Sequence, residues 1–261
     1  MLKPVINFVH ANGFPAGSYR TFLAEFSPKY TTIAHRQFGH NNHYPIHNNW
    51  QYLVTELVDF IKKQDRKVIC VGHSFGGVIT FIAACQHPEL FRGIVMLDPP
   101  VLTGRLAWLL NLAKKTPLID KISPAGKAKN RRRNWPLNTN LVGTFARKRL
   151  FQDFDPRCLQ DYVDSAVTKR NKRLELMFSP EVEADIFRHL PSNLFKFKNK
   201  LTVPAALVYG ENTDVLPVRY FKRFAALNQI GLTMMPNGGH MFPLEQPEKT
   251  AVMIDQLIKN W

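Results

Sequence analysis

The chain has little cysteine, few acids and no long apolar run. Its 261 residues hold three cysteines, Cys70, Cys85 and Cys158, odd in number and unclustered. They define no disulfide framework and fit a reducing compartment. No stretch reaches the roughly eighteen apolar residues that a membrane span needs. The opening, M-L-K-P-V-I-N-F-V-H, enters a strand-like run at once and lacks the basic-then-apolar-then-small pattern of an export signal. A cytoplasmic protein with no integral membrane segment is the expectation. Internal repeats and low-complexity segments are also missing. So is any nucleic-acid-binding module, and nucleic acid is not an expected partner despite the net charge of +15. No cofactor motif is present. His40, His43 and His47 lie three and four residues apart, but on an Asn-rich loop without carboxylates or thiols nearby. That loop reads as a solvated flank of a pocket mouth, and no metal is expected.

What is present is an alternation. Strand-like runs fall at Val5–Val9, Thr31–Ala34, Lys67–Val71, Gly93–Leu97, Ala205–Tyr209 and Leu232–Met235. Helical patterns lie around Tyr19–Phe26, Trp50–Lys63, Gly77–Gln86, Pro217–Asn228 and Glu248–Asn260. In the second of these, Leu53, Leu57, Phe60 and Ile61 recur at helical spacing and mark a buried face. Strands alternating with helices predict a mostly parallel central sheet flanked by helices, an α/β fold.

The most informative segment is V-I-C-V-G-H-S-F-G-G, residues 68–77. A short strand runs into Gly72-His73-Ser74-Phe75-Gly76 and then into a helix. This is the G-x-S-x-G pattern in the strand–turn–helix setting it requires. A tight turn lifts the Ser74 hydroxyl clear of its backbone and brings strand and helix nearly into contact. Positions two before and two after must then lack bulk, and Gly72 and Gly76 meet that demand.

Two further loops follow late strands. Gly210-Glu211-Asn212-Thr213-Asp214 follows one, and Pro236-Asn237-Gly238-Gly239-His240 follows the next. Both fall on the edge of the sheet where open α/β folds place their active sites.

With F-V-H-A-N-G-F-P (8–15), G-H-S-F-G-G (72–77), G-E-N-T-D-V-L-P (210–217) and G-G-H-M-F-P-L-E-Q-P (238–247), the chain resembles the α/β-hydrolase superfamily over residues 4–99 and 201–261. The resemblance implies a Ser74–His240–Asp214 triad. His240 would take the Ser74 proton and return it to the leaving group, and Asp214 would orient the imidazole. Asp98, in V-M-L-D-P-P, is a rival acid, because some members place the acid after that strand. The same likeness implies an oxyanion hole made by the backbone N–H groups of Phe75 and Asn12, with Phe14 as the donor under another alignment of the loop. His10 would orient that loop, and His73 would be structural. Phe14, Met241 and Phe242 adjoin these loops and are candidate substrate-binding walls.

The alternation breaks at Pro99-Pro100 and resumes near Leu201. Residues 1–100 and 201–261 would form the hydrolase core. Residues 101–200 would form an inserted helical cap, where the superfamily commonly carries one. That segment holds 21 Lys+Arg against 9 Asp+Glu, a net of +12, so most of the excess charge sits there. It can be a solvated basic surface, or it can attract anionic substrates and associate weakly with an anionic surface. The expected activity is a serine hydrolase, carboxylesterase- or lipase-like, acting through an acyl-enzyme on a small molecule with an apolar acyl or alkyl group. The alternatives are an acyl thioesterase on an anionic carrier and a non-catalytic ligand-binding member of the fold. Oligomeric state is left open.

Overall fold

A computed structural model describes residues 2–261. Six parallel strands form the central sheet: β1 (Val5–Val9), β2 (Thr31–Ala34), β3 (Val68–His73), β4 (Phe91–Leu97), β8 (Ala205–Gly210) and β9 (Gly231–Met235). Their order is β2-β1-β3-β4-β8-β9. The order reverses between β1 and β3, so the loops leaving those two strands diverge and open a crevice at their C-terminal ends. Ser74 follows β3, and the loop from His10 to Phe14 leaves β1.

Period-two alternation assigns the two faces. Val5, Val9, Val68, Cys70, Ile94, Met96 and Leu207 pack with the helices Gln51–Lys62, Phe75–Gln86 and Val218–Asn228. Ile6, Phe8, Ile69, Val71, Val95, Leu97 and Val208 pack on the other face against the helices Arg20–Ala24 and Pro247–Ile258. With helices on both faces the central strands are wholly buried, which is why they read as continuous β-branched runs.

Between β4 and β8 the chain leaves the sheet. The segment forms six helices, among them Arg105–Ala113, Pro156–Ala166 and Pro180–Arg188. The insert expected to be helical carries one further element. It also contains a three-stranded antiparallel sheet of β5 (Asn134–Pro136), β6 (Val167–Arg170) and β7 (Arg173–Leu176), in the order β5-β7-β6. The β6–β7 hairpin turns at Asn171 and Lys172, both at positive φ (49° and 56°), the backbone that a two-residue hairpin of matching twist demands. These strands have only three or four residues, so no alternation stands out in the sequence.

The insert is welded to the loops at the strand ends. Phe14 packs against Phe151, Phe154 and Tyr162. The buried Asp161 carboxylate accepts from the Thr21 amide, its hydroxyl and the Arg20 guanidinium. The Trp50 indole donates to the Ile186 carbonyl at 2.8 Å.

Candidate active site

Ser74 stands between β3 and the helix Phe75–Gln86 with φ 53° and ψ −116°. A non-glycine residue in that region carries strain of about 1–3 kcal/mol, and such strain persists only where surrounding packing enforces it. The enforcement is visible. A Cβ on Gly72 would run into the Gly76 carbonyl, and one on Gly76 into the Val9 carbonyl of β1. The elbow is therefore pressed against its own strand and the neighbouring one. Ser74 caps the helix, so the positive end of its dipole lies at the serine.

Three loops converge on this elbow. His240, in the turn after β9, has its Nδ1 2.7 Å from the Asp98 Oδ2. Asp98 follows β4 directly and is fully buried. Its Oδ1 accepts the Gly210 amide, and its Oδ2 also accepts the Thr213 hydroxyl at 2.6 Å. Asp214 does not fill this position. It is exposed and forms no hydrogen bond with His240 among the described residues. The physical reason is adjacency: β4 pairs with β8, so the loop after β8 reaches the Asp98 carboxylate and donates to it. That loop contributes Thr213 and leaves its own acid in solvent.

His240 is held by its neighbours as well as by Asp98. The Glu245 carboxylate accepts the amides of Gly239 (2.7 Å) and Met241 (3.2 Å), one on each side of the histidine. Partial burial raises the pKa of Glu245. The His240 carbonyl lies 2.9 Å from the His73 Nε2. A carbonyl can only accept, so Nε2 carries the proton and Nδ1 accepts from the Tyr19 hydroxyl at 2.7 Å. Burial drives the His73 pKa well below its usual value, which keeps this relay neutral. The Tyr19 oxygen in turn accepts the Ala11 amide, tying the loop after β1 to the same chain. Tyr19, Glu245 and Thr213 escaped sequence reasoning. Thr213 and Glu245 do lie inside the quoted motifs, but nothing there marked their side chains as loop clamps.

His10 orients the loop after β1. Its Nε2 accepts the Phe38 amide, and its Nδ1 donates to the Ala11 carbonyl. Burial lowers its pKa to about 4. The Phe14 amide is spent on the Ala11 carbonyl at 3.1 Å. The amides of Asn12 and Phe75 have no acceptor among the described residues. Asn12 is anchored through its side chain, which donates to the Glu183 carbonyl of the insert. Phe14, Met241 and Phe242 are all buried, with their rings and chains packed in the core. They join the loops after β1 and β9 to the core and present almost no free surface. His40 bridges the Phe38 carbonyl and the Ser179 amide, which uses both ring nitrogens structurally.

A family profile described as the alpha/beta hydrolase family matches residues 8–252. The chain belongs to the alpha/beta hydrolase family. Among its relatives, the uncharacterized hydrolase YugF of Bacillus subtilis (strain 168) is 26% identical over 223 residues, covering 82% of this chain and 72% of YugF. Epoxide hydrolase 4 of Homo sapiens is 30% identical over 106 residues, covering 38% of this chain and 28% of that protein. The crystal structure of E-2-(acetamidomethylene)succinate hydrolase superposes with a TM-score of 0.80 at 19% identity, over 98% of this chain and 92% of that one. At that identity the superposition establishes the fold. As a family member this protein is a hydrolase of the α/β fold.

Proposed function

We propose that this protein is a serine hydrolase cleaving a carboxylic ester-type bond, with Ser74, His240 and Asp98 as its triad. The observation that carries the reading is the 2.7 Å contact between the His240 Nδ1 and the buried Asp98, at the same sheet edge as the strained Ser74. The Asp98 carboxylate can only accept, so Nδ1 holds the proton and Nε2 is left as the base. Ser74 Oγ attacks the substrate carbonyl and its proton passes to His240 Nε2. The charge on the tetrahedral oxygen is met by the amides of Asn12 and Phe75. His240 then gives the proton to the departing alkoxide, leaving an acyl-serine. Water, deprotonated by the same nitrogen, attacks that acyl group and releases the acid and Ser74.

Serine at the elbow separates this chemistry from family members that use aspartate there, as epoxide-opening enzymes do. The insert acts as a cap over the site, since its Phe151, Phe154 and Tyr162 pack on the oxyanion loop through Phe14. Its excess of 21 basic against 9 acidic residues favours a second reading, a thioester of an anionic carrier. The deciding experiment is hydrolysis of a chain-length series of p-nitrophenyl esters and acyl-CoA thioesters, wild type beside Ser74→Ala. Turnover that disappears with Ser74→Ala supports the mechanism, and the ester-to-thioester ratio chooses between the readings. Equal rates in the two proteins would overturn both.

A further inference from the structure

We infer that the insert seats this protein on an anionic lipid bilayer surface through the outer face of the helix Arg105–Ala113 and the turn that follows it. The inference does not depend on the hydrolytic reading.

The helix is apolar on both sides. Ala107 and Leu110 are buried in the core, as its inner face requires. Its outer face, at spacing i, i+3, i+4 and i+7, is Arg105, Trp108, Leu109 and Leu112. All four are exposed, Trp108 at 62%. Six residues on from Leu112, Leu118 and Ile122 share one helical turn and are exposed too. A tryptophan and four aliphatic chains held in water along fifteen residues is a costly arrangement for a surface with no occupant.

Charge decides the occupant. Across residues 105–129 the chain carries six cations and one acid, Asp120. Asp120 is committed to Arg188, whose Nε and Nη2 lie 2.7 and 2.6 Å from its oxygens. Arg105, Lys115 and Lys121 have no salt-bridge partner among the described residues. Apolar side chains therefore project from a rim of unneutralised cations. A bilayer with anionic headgroups matches both features: acyl chains for the projecting side chains, phosphates for the rim, and an interfacial layer that suits tryptophan. A second copy matches poorly, because each copy brings a net charge of +15 to the contact. No helix is long and apolar enough to cross a membrane among the described residues, so the association is peripheral.

The test uses the full chain and vesicles of phosphatidylcholine with and without phosphatidylserine, at low and high salt, read by co-sedimentation and by tryptophan emission. Trp50 and Trp135 are buried and Trp261 is partly buried, so the blue shift that Trp108→Glu removes is the part that reports on Trp108. We expect binding that needs phosphatidylserine, is weakened by salt, and falls about tenfold or more in Trp108→Glu and in Leu112→Ser, because each removes an inserted apolar side chain. Both sites are exposed, so the melting temperature should stay within about 2 °C, the range for surface substitutions. Wild-type binding in both variants would overturn the inference. So would equal binding to pure phosphatidylcholine, or a dimer in solution that Trp108→Glu dissociates, which would give the face to a second copy.

Discussion

Asp98 shows how far residue type and spacing can carry a site assignment. Ser74 and His240 of the proposed triad are suggested by the chain alone, because the glycine spacing and the loop after the last strand leave few alternatives. The acid is not. Both Asp98 and Asp214 follow strands whose ends lie on one edge, and local sequence cannot say which carboxylate turns inward. The fold buries Asp98 against His240 and leaves Asp214 in solvent. Asp98→Asn should therefore lower kcat by about 10⁴-fold, through loss of the correct imidazole tautomer. Asp214→Asn should leave kcat within about twofold, as for a surface change away from the site. Steady-state kinetics on one soluble ester checks both. A large loss confined to Asp214→Asn would return the role to that residue.

At the scale of elements, the elbow depends on close approach of backbones. Gly76 lies where a Cβ would strike the Val9 carbonyl, and neither strand nor helix can withdraw without losing its ladder or its core contacts. Gly76→Ala should cost about 4 kcal/mol or more, in the range reserved for severe overpacking. Chemical denaturation measures it, and a wild-type midpoint would mean that the elbow is not closely packed. The strand–helix elements of the core were legible from the continuous apolar runs of the central strands and the helical spacing of Gln51–Lys62. The small sheet of the insert was not. Its strands are too short for periodicity to show: β6 (V-T-K-R) has no alternation, and β7 (R-L-E-L) alternates over only four positions.

For the whole molecule, buried titratable groups couple stability to pH. His10 and His73 are neutral in the folded protein, with pKa values held by burial at about 4 and well below 6.5. The unfolded chain binds their protons below pH 6.5 and the folded one does not, so stability falls as pH drops from 6.5 towards 4. Glu56 runs the other way. Burial pushes it up to about 7, so the folded state keeps a proton that the unfolded state loses above its ordinary value of 4.5. Its contribution offsets roughly one histidine over the same range. His35 adds to the histidines, and Glu183 and Glu245 to Glu56, by smaller shifts, so the net expectation from the strongly shifted groups is a protein less stable to urea at pH 5 than at pH 7. Glu56→Gln should make that acid loss steeper, because it removes the opposing group. A loss unchanged in Glu56→Gln would show that this carboxylate is ionised in the folded state.

Sequence alone determined the alternation of strands and helices, the glycine-flanked serine, the histidine after the last strand and the concentration of charge between residues 101 and 200. Each is a local property, set by periodicity, by the conformational freedom of glycine or by composition. Tertiary structure decided which acid meets His240, because that depends on β4 and β8 being neighbours. It decided that Phe14, Met241 and Phe242 spend their surface on packing, because burial belongs to all the elements around a residue. It also decided that Trp108, Leu109 and Leu112 face water while Leu110 faces the core, since only the docking of a helix separates two apolar sides of one sequence.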